Sequence, residues 1–147
     1  HQLPNRRGED YDARFTLAAR LARAGVTFCI ARPANSFDSP HDRNLPYEAA
    51  TAAAFGLDRA DALKAITLYP AHILGVADRL GSLEPGKLAS FVVSDGDPLE
   101  IGTRVERVYI QGREIDLSNR QTRLNEKYRE KYRQLAAKPG TTSPAKQ

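Results

Sequence analysis

The sequence predicts an α/β fold in which helices and one apolar strand are followed by a small β unit. Apolar residues recur at helical spacing over residues 13–24, and a continuous β-branched and aromatic run follows at residues 26–31. After Gly75 the pattern changes to short apolar runs separated by Gly and Pro turns. A chain of 147 residues that is 41% hydrophobic and 27% charged has the size and composition of a globular domain.

The first two elements are predicted from their boundaries and their apolar patterns. The helix follows the acidic pair Asp10 and Asp12 and ends before Gly25, as the start and stop signals of helices require. The run at residues 26–31 is apolar without alternation. It therefore predicts a strand buried on both faces, as in a parallel sheet.

A long irregular stretch, residues 32–45, precedes three further helices. Loops of this length inside compact domains are usually functional or disordered. Pro46 is predicted to begin a helix that Gly56 ends, because Pro is favoured in the first helical turn. Asp58 is a predicted N-cap for a helix from Arg59 to about residue 68, and a short helix is predicted over residues 70–75.

The remaining elements are a β-meander and a terminal helix. Strands are predicted over residues 91–93, 105–110 and 113–115, with Gln111 and Gly112 as the last turn. Beyond Arg120 four apolar residues recur every three or four positions, which predicts an amphipathic helix with a basic outer face. They are Leu124, Tyr128, Tyr132 and Leu135. A disordered end is expected after it.

Charge is distributed unevenly along the chain. Residues 117–147 carry eight Lys and Arg against two Glu, a net charge of +6, whereas residues 1–116 carry fourteen against sixteen acidic residues, a net charge of −2. The main part of the chain therefore offers no broad basic surface for phosphates, and we expect no nucleic-acid partner. No run approaches the roughly 18 apolar residues of a membrane span, so no membrane partner is expected either.

Cysteine content and the start of the chain leave the compartment unassigned. A single Cys29 excludes an internal disulfide, and the polar first residues predict no signal peptide. Since the sequence contains no Met, we expect a chain cut from a larger protein whose N-terminus lies upstream.

Short catalytic motifs do not identify the chemistry. The sequence has no glycine-rich phosphate loop, CxxC, GxSxG or HExxH, and its three histidines, His1, His41 and His72, are scattered. His72 is expected to have a structural or surface role. His41 lies between Asp38 and Arg43, in the loop after the predicted strand. Active sites of α/β folds are built there, although a solvated polar loop is the simpler alternative.

Three stretches carry a resemblance to a known family. They are residues 43–50 (RNLPYEAA), residues 62–93 (ALKAITLYPAHILGVADRLGSLEPGKLASFVV) and residues 95–99 (DGDPL). Together they resemble the C-terminal third of an amidohydrolase-superfamily protein, close to the imidazolonepropionase-like group. The similarity extends over residues 3–116, and residues 62–93 are its most specific part.

The resemblance implies the last β/α units of a (β/α)8 metal-dependent-hydrolase barrel, followed by β-strands of a small composite β-sandwich. Residues 1–75 would form the C-terminal end of this TIM-type barrel, and residues 76–116 the sandwich strands. Residues 117–147 would form a basic amphipathic helix and a disordered tail. A whole barrel takes about 250 residues, so we expect an incomplete fold that needs the missing N-terminal part of the barrel as its partner.

One metal ligand of the family is expected within this span, an Asp at the end of the eighth barrel strand. Alignment of residues 26–31 with that strand puts Arg32 or Pro33 in its place. Neither side chain can bind a metal ion or act as a base at neutral pH. Asp38 and Asp42 are the nearest later carboxylates and the weak catalytic candidates.

A site without this Asp is expected to bind differently. We predict no metal ligand on this segment, and we predict that Arg32, His41 and Arg43 contact an anionic substrate group, because Arg places a permanent positive charge there. Ser90 is a second departure, since the family usually has Asp in this Gly-Lys-x-Ala-Asp turn. That position is expected to be structural.

The resemblance implies a hydrolase of carbon–nitrogen bonds other than peptide bonds, which uses a metal-activated water. A divalent metal such as zinc is expected in the full-length protein, together with a small-molecule substrate and a homo-oligomeric state. The segment alone is expected to be inactive. The alternative is a non-catalytic amidohydrolase-fold protein with a binding or structural role. Nucleic-acid binding is disfavoured, because Tyr128 and Tyr132 belong to the apolar stripe of the terminal helix.

Overall fold

The computed structural model describes residues 8–33, 35 and 39–137, without the side chains of Ser39 and Pro40. The predicted α/β class is confirmed. The helices are α1 (Ala13–Arg23), α2 (Leu45–Ala54), α3 (Arg59–Lys64), α4 (Leu68–Ile73) and α5 (Arg120–Ala137), with a 3₁₀ helix at Ser39–Asn44, and the strands are β1 (Phe91–Ser94), β2 (Val105–Ile110) and β3 (Arg113–Glu114). Two compact units result, one that ends at Ile115 and one that begins at Asp116.

Small side chains form the core of the first unit. Ala19 of α1, Ala49 and Ala52 of α2, and Ala62 of α3 are 0 to 4% exposed and lie in one cluster with Leu57 and Leu99. Because a methyl group occupies little space, the three helices approach one another closely. At the edge of this cluster the rings of Phe15 and Phe55 stack with their centroids 4.7 Å apart.

The start of α3 is tied to the loop before β2. The Asp58 side chain caps the helix by accepting hydrogen bonds from the backbone N–H groups of Ala60 and Asp61, as predicted. The Arg59 guanidinium forms ion pairs with Asp97 at 2.6 Å and with Glu100 at 2.5 Å. These ion pairs flank Leu99, which the loop contributes to the helical core.

The expectation of a doubly buried strand at residues 26–31 is wrong. These residues form no strand, and Val26, Thr27, Cys29 and Ala31 are exposed. A parallel strand is buried on both faces only when other strands flank it and helices cover it. Among the described residues all strands belong to the sheet of β1, β2 and β3, so residues 26–31 have no strand beside them.

Two other boundaries differ from the sequence prediction. The stretch expected to be irregular contains the 3₁₀ helix. The helix predicted to reach residue 68 ends at Lys64, where the backbone N–H groups of Ile66 and Thr67 bond to the carbonyl groups three residues earlier. Such bonds tighten the last turn of a helix and end it.

The strands form an antiparallel meander in the order β1, β2, β3. Phe91 pairs with Tyr109, and their rings stack 4.7 Å apart. The predicted turn between β2 and β3 has positive φ angles at Gln111 (51°) and Gly112 (78°), as a two-residue hairpin of the favoured twist requires. The Ser90 hydroxyl accepts a hydrogen bond from the Gln111 N–H at 3.0 Å.

Within residues 8–33, 35 and 39–137, no helix is both long enough and apolar enough to span a bilayer.

Gly81 and Gly86 provide a matched pair for testing the packing at α4. Both have φ angles near +90°, so any other residue is strained at either position. At Gly81 a Cβ would also lie 2.7 Å from the Ala71 Cβ, whereas at Gly86 it would meet no atom within 4 Å. We expect Gly81→Ala to lower the free energy of unfolding by about 1–3 kcal/mol more than Gly86→Ala, because overpacking adds to the strain. Chemical denaturation measures both, and equal losses would contradict the packing.

Asp97 makes the stability of the first unit dependent on pH. The Leu99 N–H and the Arg59 guanidinium both donate to this carboxylate and lower its pKa below the ordinary value. Because the carboxyl has a lower pKa in the folded protein, its ionised form stabilises the fold at pH values above the unfolded-state pKa, which is about 4. This stabilisation is lost as the pH falls through the pKa of the folded state. We therefore expect Asp97→Asn to flatten the loss of stability between about pH 4 and pH 2.

The matched control for that measurement is Asp78→Asn. Asp78 is exposed and lies outside the Arg59 cluster. Urea unfolding at a series of pH values compares the two variants with the parent protein. If the free energy of unfolding falls equally steeply with decreasing pH in both variants, Asp97 does not stabilise the fold through its charge.

Candidate functional site

The candidate site lies at the end of residues 26–33, which we call the apolar segment. Side chains alternate along it: Phe28, Ile30 and Arg32 are half-buried, whereas the residues between them are exposed. Phe28 and Ile30 pack against the alanine core. Arg32 therefore belongs to the side of the segment that faces the helices.

Arg32 forms an ion pair with Glu48 in the first turn of α2. Its Nη1 donates to Glu48 Oε1 at 2.8 Å, and the two side chains are only 18% and 26% exposed. Hydrogen bonds between charged groups are stronger than neutral ones, and partial burial reduces screening by water. The pair thus fixes the end of the apolar segment to α2.

Sequence reasoning missed Glu48. It lies two residues after the predicted helix-starting Pro46, where an acidic residue is ordinary because it complements the helix dipole. Two features of the sequence could have indicated the contact: an acidic residue in the first turn of the predicted helix, and Arg32 at the end of an apolar run. Sixteen residues separate Arg32 from Glu48, and no sequence spacing specifies that contact.

Arg32 lines two cavities. The larger, about 500 Å³, extends along α1 and includes Arg14, Phe28 and Glu48. The smaller, about 340 Å³, also includes Asp42 and Pro70. The structure therefore brings together Arg32 and Asp42, two of the residues singled out from the sequence.

The other sequence-predicted residues lie elsewhere. His41 is exposed on the 3₁₀ helix. Arg43 lines a different cavity, of about 690 Å³, which opens between α2 and the sheet. Asp38 lies outside the described residues. The roles of Arg32, His41 and Arg43 in substrate binding, and of Asp38 and Asp42 in catalysis, stay predictions.

A separate polar cluster lies at the opposite end of the apolar segment. The Tyr69 hydroxyl donates to Asp61 at 2.8 Å, and Lys64 lies 3.2 Å from the same oxygen. The hydrogen bond from Tyr69, followed by that from Lys64, lowers the pKa of Asp61, and the same bond raises the pKa of Tyr69. Exposed His72 lines a cavity of about 510 Å³ with this cluster.

The residues at the end of the apolar segment do not fit a zinc centre on their own. Structural and catalytic zinc sites take at least three protein ligands from His, Cys, Asp and Glu. No three such side chains come together anywhere in the described part of the chain. On the exposed side of the segment, Thr27, Ala31 and Pro33 offer no ligand and Cys29 offers one.

Comparison with known proteins identifies the family. The model of the Amidohydrolase family matches residues 9–125, most of the chain. The chain belongs to the amidohydrolase family. The resemblance predicted from the sequence is confirmed, and members of this family are generally metal-dependent.

Individual proteins that are similar to this chain support the family assignment. The chain is 32% identical over 103 residues to an imidazolonepropionase of Solibacter usitatus, covering 69% of this chain and 23% of the relative. It is 44% identical over 57 residues to a putative N-acetylgalactosamine-6-phosphate deacetylase of Escherichia coli, covering 39% and 31%. The crystal structure of an amidohydrolase from Thermotoga maritima matches with a TM-score of 0.61 and 41% identity, covering 69% of this chain and 26% of that one. The chain therefore spans less than a third of the length of these relatives.

The Arg32–Glu48 pair can be tested by a double-mutant cycle. Because both side chains are mostly buried, Arg32→Ala and Glu48→Ala should each destabilise the amidohydrolase fold, and the pair should show a coupling energy of about 1–2 kcal/mol. The exposed pair Arg133–Glu130, at 2.7 Å, is the control and should give about 0.5 kcal/mol or less. Denaturation of the single and double variants measures both values. Equal coupling in the two pairs would contradict a special role for Arg32.

Proposed function

We propose that this chain is the C-terminal part of a hydrolase that acts on carbon–nitrogen bonds other than peptide bonds. The family match and relatives named imidazolonepropionase and deacetylase support this reaction class. Residues up to about 75 would close the barrel, and residues 76–116 would complete a composite β-sandwich. The N-terminal part of the barrel would supply the remaining strands and the further histidines of the site.

The observation that carries the finer proposal is the ion pair between Arg32 and Glu48. The alignment proposed from the sequence assigns Arg32 to the position of the metal-binding Asp that ends the family's eighth strand. On this proposal a cation and a carboxylate, with zero net charge, replace a lone carboxylate. The guanidinium cancels the net negative charge that would hold a metal cation at this point, and it is a positive group that an anion can bind. The site has therefore lost or changed its metal.

Arg32 is the proposed contact for an anionic group of the substrate, with His41 and Arg43 nearby in the chain. A guanidinium is permanently charged, so Arg32 can attract an anionic group of a ligand to the cavity that it lines. The cavity that Arg32 shares with Asp42 gives such a ligand space beside it. A small carboxylate or phosphate fits this chemistry.

The segment alone is proposed to be inactive, because the sequence supplies only His1, His41 and His72 and no His-x-His pair. The alternative function is a non-catalytic amidohydrolase-fold protein that binds a ligand or has a structural role. The same ion pair favours this alternative, because the carboxylate that it brings to that position, Glu48, is bound by the Arg32 guanidinium.

Asp38→Ala and Asp42→Ala, made in the protein at its natural length, test whether a loop carboxylate replaces the missing Asp as the catalytic base. We expect neither change to alter metal content or hydrolysis of a panel of cyclic amides, because neither carboxylate takes the place of the missing Asp. Elemental analysis and a hydrolysis assay measure the outcome, with Asp78→Ala as the control on an exposed carboxylate. If either loop variant loses both bound metal and a measurable activity, that loop Asp is the catalytic base.

A further inference from the structure

We draw no further inference here: the strongest candidate, the cavity of about 500 Å³ along α1 that Arg14 lines together with Arg32 and Glu48, belongs to the site already described, where Arg32 is paired with Glu48.

Discussion

Close contact between alanine methyl groups is the constraint on which the first unit depends. Ala49 and Ala62 have no exposed surface, and Ala19 and Ala52 have almost none. Larger side chains at these positions would separate α1, α2 and α3. Only because these helices approach so closely can Phe28 and Ile30 pack against them, and that packing brings Arg32 within reach of Glu48. The geometry of the candidate site is thus a consequence of small residues some distance from it.

The elements that sequence reasoning predicted well are those with local causes. The Asp58 cap, the periodic apolar pattern of α5 and the turn at Gln111 and Gly112 all depend on residues a few positions apart. The apolar run at residues 26–31 has the composition of a strand, but a strand also requires a neighbour. A local sequence pattern does not show whether a neighbouring strand is present. Composition alone therefore could not predict that one side of this segment is exposed.

The same distinction separates the predicted parts of the site from the missed part. Arg32 is singled out because alignment with the family assigns it to the position of an expected carboxylate, and Asp42 because it lies in the following loop. Glu48 was missed since its sequence context is that of any acidic residue near a helix start. Its importance comes from a long-range contact, which becomes visible only when α2 is placed against the apolar segment. Ser90 stands where the family usually has Asp, and its role here is structural because its hydroxyl accepts a hydrogen bond from the Gln111 N–H.

The hairpin between β2 and β3 has a consequence for how the chain can vary in length. A two-residue loop admits only one pairing of its flanking strands, here Ile110 with Arg113. A strand side chain changes face with every residue, so one inserted residue would reverse the faces of β3 relative to β2. It would separate Glu114 from Tyr109, which are hydrogen-bonded across the strands at 3.2 Å. At this turn the number of residues is therefore constrained by the pairing of the strands on either side.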